Sequence, residues 1–236
     1  MIPWVHLDTA QVPGGGELRL LRRGAEFSIK LDNNELMNSR LSATEQALAT
    51  MGCASIRSRP RAKILIGGLG MGFTLRAALI VLGDDAEITV AELVPEVVAW
   101  ARGPMAGLFG DSLVDPRVRI VEGDVGDLIR TARADYDALL LDVDNGPEGM
   151  TRKANDRLYD RAGLAAAHNA LRGDGVLAVW SSTADAKFTL RLRKSGFDVV
   201  ENPVRAKGPQ GGAQHFIWTA TRRDTVAQPR ARAAGA

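Results

Sequence analysis

The chain of 236 residues is long enough for one main domain with a small appendage, and 45% hydrophobic with 25% charged residues is typical of a globular protein. Its 30 basic and 28 acidic residues nearly balance, which disfavours a nucleic-acid-binding surface, and no segment approaches the ~18 apolar residues of a membrane span. The single cysteine, Cys53, and the lack of a basic and then apolar leader pattern favour a cytoplasmic protein with no nucleic-acid or membrane partner.

Residues 1–40 predict a small antiparallel β unit made of hairpins. The segments 17–22 and 26–31 are separated by a short glycine-containing turn, and apolar residues alternate along the second segment with the period of a half-buried strand. The Asp-Asn-Asn sequence at 32–34 then indicates a tight turn.

A helix is expected to follow this unit. Ser42 is suited to the N-cap position, and Glu45, three residues later, is suited to the reciprocal bond of a capping box. We expect Gly52 to end this helix.

From about residue 61 onward, short apolar strands alternate with helical patterns, which indicates a doubly wound, mostly parallel α/β sheet covered on both faces. The predicted strands of this repeat are 62–66, 87–91, 117–121, 137–141 and 176–180.

The end of the chain departs from this alternation. Strands at 197–201 and 214–220 are joined by a loop without a helix, which predicts an antiparallel pair at the edge of the sheet. We therefore predict a β-hairpin unit over 1–40, a Rossmann-like nucleoside-binding domain over 41–223, and a disordered tail over 224–236.

A glycine-rich loop follows the first strand of the doubly wound region. Gly68, Gly70 and Gly72 would let the backbone turn sharply and approach a ligand closely, although a tight turn without a ligand remains the alternative. Phe73 replaces the third glycine of the dinucleotide fingerprint, and the lysine of a phosphate-binding loop is absent. The loop therefore favours a nucleoside without a pyrophosphate, such as S-adenosylmethionine.

Two acidic residues follow the next two strands. Glu92 ends a strand and can accept hydrogen bonds from ribose hydroxyls, although it can also cap the helix that follows. Asp124 can accept a hydrogen bond from an adenine amino group, cap the next helix, or do both. With their neighbours Leu93 and Val125, these residues are assigned to the cofactor site.

The segment after the strand 137–141 carries Asp142, Asp144 and Asn145. Clustered carboxylates at this edge can hold a cationic amine, orient it, or accept its proton, whereas the alternative is an Asx-rich turn before a proline. We assign these three residues to catalysis and Asp142 also to the cofactor site. Trp180 either lines an acceptor pocket or packs at the edge of the core, and the spacing of the histidines predicts no metal site.

These segments resemble the spermidine synthase family, the polyamine aminopropyltransferases, over residues 17–220. The family's glycine-rich pattern corresponds to 68–76, its strand-end acid to Glu92, and its Asp-Pro-Arg-Val segment to 115–118. The resemblance implies a class I methyltransferase-like Rossmann fold, a small N-terminal β unit, an adenosyl cofactor and, by analogy, a homodimer.

The chain departs from the family pattern at three places. Met71 stands where the family has the aspartate that helps hold the aminopropyl amine, and Asn145 aligns with the family's proton acceptor. Residues 43–46 have no clear match to the family's Tyr-x-Glu region. The adenosyl-binding positions are kept, whereas the amine-handling positions are changed.

We therefore expect a transferase that uses S-adenosylmethionine to methylate a small acceptor, with Asp142 beside the sulfonium and with Asp144 and Asn145 positioning the acceptor. The alternative is an aminopropyltransferase that uses decarboxylated S-adenosylmethionine and a diamine such as putrescine, in which Asp144 replaces the missing acid. A second alternative is a nucleoside-binding protein without catalysis.

Overall fold

The computed structural model describes residues 2–143 and 156–223. The tail predicted to be disordered, 224–236, lies outside these residues. None of the described helices is long and apolar enough to cross a membrane.

The N-terminal part forms a four-stranded antiparallel sheet in the order β1-β2-β3-β4, which confirms the predicted hairpins. Its strands are β1 Val5–Gln11, β2 Glu17–Arg23, β3 Glu26–Leu31 and β4 Asn34–Asn38. Alternate residues of β2 and β3, among them Leu20 and Ile29, are fully or almost fully buried, so one face of the sheet packs on the rest of the protein.

The main sheet has seven strands in the order β10-β11-β9-β8-β5-β6-β7. The strands are β5 Lys63–Gly67, β6 Glu87–Glu92, β7 Val118–Glu122, β8 Tyr136–Leu141, β9 Leu171–Ser181, β10 Phe197–Arg205 and β11 Gln214–Arg222. β5 to β9 are parallel, and β11 pairs antiparallel with both β9 and β10. The predicted parallel sheet and its antiparallel edge pair are therefore confirmed.

Helices cover both faces of this sheet. They are α1 Ala43–Cys53, α2 Phe73–Val81, α3 Pro95–Arg102, α4 Ala106–Phe109, α5 Val125–Thr131, α6 Asp156–Tyr159, α7 Arg161–Ala170 and α8 Ala186–Lys194, with 3₁₀ turns at Gly110–Leu113 and Gly208–Gln210. Successive residues of β5 point to opposite faces: Ile64 and Ile66 pack with α1, α2, α3 and the N-terminal sheet, whereas Leu65 packs with α5, α7 and α8.

Helix α1 differs from the expectation at both ends. Ser42 makes no side-chain capping bond, and Gly52 lies inside the helix rather than ending it. Gly52 faces the sheet so closely that a β-carbon there would lie 2.9 Å from the Ala178 side chain. The glycine therefore lets α1 pack against the sheet, because no side chain fits between them.

The N-terminal sheet and the main domain share one hydrophobic core. The Trp100 indole of α3 is 2% exposed and donates a hydrogen bond to Asp8 of β1, with 2.7 Å between Nε1 and Oδ2. This bond holds the pKa of Asp8 below its usual value. The contact fixes the small sheet over the same side of the main sheet as α3.

At the amino end of β8, Asp137 forms a buried ionic network. Its carboxylate accepts hydrogen bonds from Arg59 at 3.0 Å, Arg172 at 2.8 Å and the backbone nitrogen of Lys63 at 2.8 Å. The Asp137 side chain is only 4% exposed. Removing its carboxylate would leave two partly buried guanidinium groups without their ionic partner.

We expect Asp137→Ala to lower the free energy of unfolding by about 2 kcal/mol, because two partly exposed guanidinium groups and the Lys63 backbone nitrogen lose their buried acceptor. Asp127→Ala is the matched control, since Asp127 is 71% exposed and its surface ion pair with Arg130 contributes less than about 1 kcal/mol. Urea denaturation of both variants measures the difference, and equal effects would contradict this role of Asp137.

Candidate active site

Four neighbouring parallel strands deliver the predicted cofactor residues to one edge of the sheet. Gly68 follows β5, Glu92 ends β6, Asp124 follows β7 and Asp142 follows β8. All four line a cavity of about 140 Å³, which we call the larger cavity. Ligands of doubly wound sheets bind at this carboxyl edge. The four residues thus meet at one edge of the sheet, as expected from the sequence, and their binding of a cofactor stays a prediction.

The N-terminal sheet forms the opposite wall of the larger cavity. Leu18 and Ile29 come from β2 and β3, and Leu36 and Met37 come from β4. A ligand at the sheet edge is thus enclosed between polar strand ends and an apolar wall, which removes water from around it. The sequence predicted the small sheet but not its part in the site.

The glycine loop approaches the strand beside it very closely. Gly68 has a φ of +91°, and a β-carbon there would lie 2.6 Å from the backbone oxygen of Asp142. Gly68 and Gly70 both line the larger cavity, as expected for ligand-binding positions.

Gly72 has a different place. It precedes α2, with a φ of +75°, and a side chain there would overlap the Phe109 ring. It lines neither the larger cavity nor the smaller one described below. Gly72 therefore packs against Phe109 where α2 begins, and its cofactor contact stays a prediction.

Glu92 is 7% exposed and lies at the centre of the polar wall. Its two carboxyl oxygens accept hydrogen bonds from the backbone nitrogens of Leu69 and Val94, each at 2.9 Å. Burial raises its pKa despite these bonds. Because a carboxylate has about four acceptor positions, it can hold these two loops and still accept bonds from ribose hydroxyls. Leu93 lines the cavity beside it.

Asp124 caps α5, since its Oδ1 accepts a hydrogen bond from the Gly126 nitrogen at 2.7 Å. It also lines the larger cavity together with Val125. The two roles considered from the sequence are therefore compatible, and the contact with adenine stays a prediction.

A smaller cavity of about 70 Å³ adjoins the larger one. The residues lining both cavities are Leu36, Met37, Gly70 and Asp142. Trp180 lines the smaller cavity, which favours the pocket role over edge packing, and its Nε1 is buried without a hydrogen-bond partner in the described part of the chain.

Asp142 is the polar group at the junction of the two cavities. Its Oδ2 accepts a hydrogen bond from the Thr74 hydroxyl at 2.8 Å. Burial, and secondly the nearby Glu45 carboxyl, raise its pKa to about 7, against the lowering effect of Thr74. A carboxyl with this pKa can exchange a proton near neutral pH.

Glu45 is an acidic cavity-lining residue that the sequence analysis did not assign to the site. It was expected to complete a capping box, but its Oε2 accepts a hydrogen bond from the Thr44 hydroxyl at 2.9 Å and the residue lines the smaller cavity. Burial raises its pKa. Its position relative to Leu48 and Ala49, which are fully buried, places it on the apolar stripe of α1. An acid on that stripe was the signal available in the sequence.

Asp144 and Asn145, the other two predicted catalytic residues, lie outside the described residues. Their catalytic roles stay predictions. Among the described lining residues, neither cavity has a lysine, arginine or histidine, so their side-chain charge comes from carboxyls alone. In the same part of the chain, no group of three or more potential metal ligands comes together.

Sequence comparison finds relatives among the polyamine aminopropyltransferases. Polyamine aminopropyltransferase 1 of Streptomyces coelicolor is 38% identical over 106 residues, which are 44% of this chain and 20% of that protein. Polyamine aminopropyltransferase of Korarchaeum cryptofilum is 29% identical over 119 residues, 50% of this chain and 35% of that protein. The chain thus matches about a fifth to a third of the length of these relatives. No protein-family model matches it.

Solved structures of spermidine synthases have the same fold. The enzyme from Thermotoga maritima superposes with a TM-score of 0.70 at 19% identity, and a spermidine synthase in complex with the transition-state analogue AdoDATO with 0.69 at 19%; each match covers 92% of this chain and 72% of the other. A probable spermidine synthase from Corynebacterium glutamicum gives 0.62 at 14%, covering 92% and 79%. The resemblance to the spermidine synthase family and the predicted fold are both confirmed.

We expect Asp142→Asn to stabilise the protein at high pH. The folded pKa of about 7 lies above the unfolded value, so the contribution of Asp142 to stability is full at low pH and is lost as the pH rises towards 7. The asparagine keeps the bond from Thr74 and does not titrate. The difference in free energy of unfolding, Asp142→Asn minus the native chain, should therefore increase by about 2 to 3 kcal/mol between pH 5 and pH 8.

Urea denaturation at the two pH values measures this gain. Asp127→Asn, at an exposed position, is the control and should show no such gain. A pH-independent difference between Asp142→Asn and the native chain would contradict the burial of an ionisable carboxyl at this position.

Proposed function

We propose that this chain, a relative of the polyamine aminopropyltransferases, transfers an aminopropyl group from decarboxylated S-adenosylmethionine to a small amine. One observation carries the proposal: a larger cavity suited to a nucleoside and a smaller cavity with carboxyl groups meet at Asp142. The names of the sequence relatives and of the structural neighbours support the same reaction.

The residues of the larger cavity fit an adenosyl group. Gly68 and Gly70 allow close approach of the backbone, Glu92 can accept hydrogen bonds from ribose hydroxyls, and Asp124 can accept one from the adenine amino group. The apolar side chains of the N-terminal sheet suit the opposite face of such a ligand.

The charge of the site favours the decarboxylated cofactor. The tail of S-adenosylmethionine ends in an ammonium and a carboxylate, whereas the tail of the decarboxylated form ends in an ammonium alone. Asp142, which lines both cavities, attracts an ammonium and repels a carboxylate, and no basic side chain lines the described walls to offset this repulsion. This reverses the order of the two transfer reactions expected from the sequence, because methyl transfer from S-adenosylmethionine has no comparable support in the geometry.

When bound, the sulfonium cofactor supplies an activated carbon that an amine can attack. The new bond is carbon–nitrogen, the carbon–sulfur bond breaks, and its electron pair stays on sulfur as a neutral thioether. The acceptor loses one ammonium proton before it attacks. Asp142, oriented by Thr74 at the junction, can accept that proton because its pKa of about 7 matches neutral conditions. The apolar walls exclude water from the two reactants.

Calorimetric titration of the purified protein tests the choice of cofactor. We expect decarboxylated S-adenosylmethionine to bind at least about tenfold more tightly than S-adenosylmethionine, a difference of about 1.4 kcal/mol. With putrescine added, mass spectrometry should detect 5′-methylthioadenosine and an aminopropylated amine. Asp142→Asn should lower kcat by about 100-fold, in the range lost with a general base.

Tighter binding of S-adenosylmethionine together with formation of S-adenosylhomocysteine would instead establish methyl transfer. Binding of either cofactor without turnover across a panel of amines would favour the non-catalytic alternative. The homodimer inferred from the family resemblance also stays a prediction.

A further inference from the structure

We infer that Glu45 of α1 is a second substrate-binding carboxylate, which together with Asp142 holds the ammonium group of the incoming amine. The inference rests on the proposed function, because it assigns a role in the same site. It places half of the amine-binding charge on a helix and not on the segment after β8, where the sequence suggested it.

The two carboxyls reach the smaller cavity from different parts of the fold. Glu45 lies in the first turn of α1, and Asp142 directly follows β8. Thr74 of α2 connects them: its hydroxyl donates to Asp142 at 2.8 Å and lies 3.4 Å from the backbone oxygen of Glu45. The relative position of the two acids is therefore set by three packed elements.

The Glu45 carboxyl also has its own support. Thr44 donates to it at 2.9 Å, and the same hydroxyl lies 3.5 Å from Nδ1 of His215 in β11. The His215 ring packs edge-on against Trp180, with 4.9 Å between ring centroids. These contacts hold Glu45 beside the cavity and restrict its rotation. A carboxylate that binds a small cation needs such a fixed position.

The remaining wall suits an alkylammonium chain. Leu36, Met37 and Met71 supply apolar surface, and the aromatic ring of Trp180 can attract a cation through its face. Met71 carries no charge, so Glu45 and Asp142 are the acidic groups on the described wall.

Other ionisable groups lie one residue further away. Arg76 of α2 stacks on the Phe73 ring, with 5.2 Å from its guanidinium carbon to the ring centroid. His215 lies behind Thr44, and burial lowers its pKa, which favours its neutral form. The wall strands β4 and β9 contribute Leu36, Met37 and Trp180, which do not titrate in this range. The field inside the cavity is therefore set chiefly by the two carboxyls.

This arrangement links amine binding to proton release. Two neighbouring carboxyls with limited access to water resist being ionised together, so the empty site retains a proton below about pH 7. An ammonium group between them stabilises both charges and expels that proton. A structural glutamate that only supported α1 would not produce this link.

The test compares Glu45→Gln with Glu87→Gln. Glu87 begins β6 at the opposite end of the strand from the site and pairs with Lys63 and Arg61 at the surface. In Glu45→Gln we expect the KM for putrescine to rise at least about tenfold, as for loss of one partner of a buried charge pair, while the Kd of decarboxylated S-adenosylmethionine changes less than about threefold. Glu87→Gln should match the native chain in both constants.

The second readout does not need turnover. Putrescine is titrated into protein saturated with 5′-methylthioadenosine at pH 6.5, in buffers of different ionisation enthalpy, and the number of protons released is obtained from the slope. The native chain and Glu87→Gln should release about one proton per amine bound, and Glu45→Gln less than about half of that.

The outcomes separate this inference from the proposed function. Normal turnover with Glu45→Gln indistinguishable from Glu87→Gln overturns the role of Glu45 and leaves aminopropyl transfer intact. A native chain without turnover, but with Glu45-dependent proton release on amine binding, overturns the reaction and supports the amine site. Absence of both turnover and Glu45-dependent amine binding overturns both.

Discussion

Desolvation of the half-buried Asp142 carboxyl, where two cavities meet, is the constraint on which the site depends. The backbone oxygen of Asp142 lies so close to residue 68 that only glycine fits there. The Asp142 carboxyl accepts a hydrogen bond from the Thr74 hydroxyl, and the nearby Glu45 carboxyl raises its pKa. Its pKa is therefore a property of the whole site. A group held in this way can respond to a cation and a proton together, which is the chemistry that amine transfer needs.

The fold provides this environment by covering one sheet edge with another sheet. The parallel strands β5 to β8 bring polar side chains to their carboxyl ends, and the N-terminal sheet places Leu18, Ile29 and Met37 over them. The Trp100–Asp8 hydrogen bond helps hold the small sheet in place, far in sequence from the residues it covers. Desolvation at the site, and hence the raised pKa values, thus depends on packing between two sheets.

The sequence predicted what is encoded locally. Gly68, Glu92 and Asp124 each follow or end a strand with a regular apolar pattern, so their meeting at one edge followed from the parallel topology. Glu45 and Gly52 were misread because their neighbours come from distant segments, which form the smaller cavity and the strand that carries Ala178. A capping pattern and a glycine stop signal are short-range rules, and tertiary packing overrode both.

A crystal structure of the protein with 5′-methylthioadenosine and putrescine tests the central claim most directly, because it locates both reactants relative to Asp142. The account predicts the adenosine in the larger cavity, with its ribose on Glu92, and an amine nitrogen in the smaller cavity within hydrogen-bond distance of the Asp142 carboxyl. Adenosine bound away from the sheet edge, or an amine bound without contact to Asp142, would contradict it.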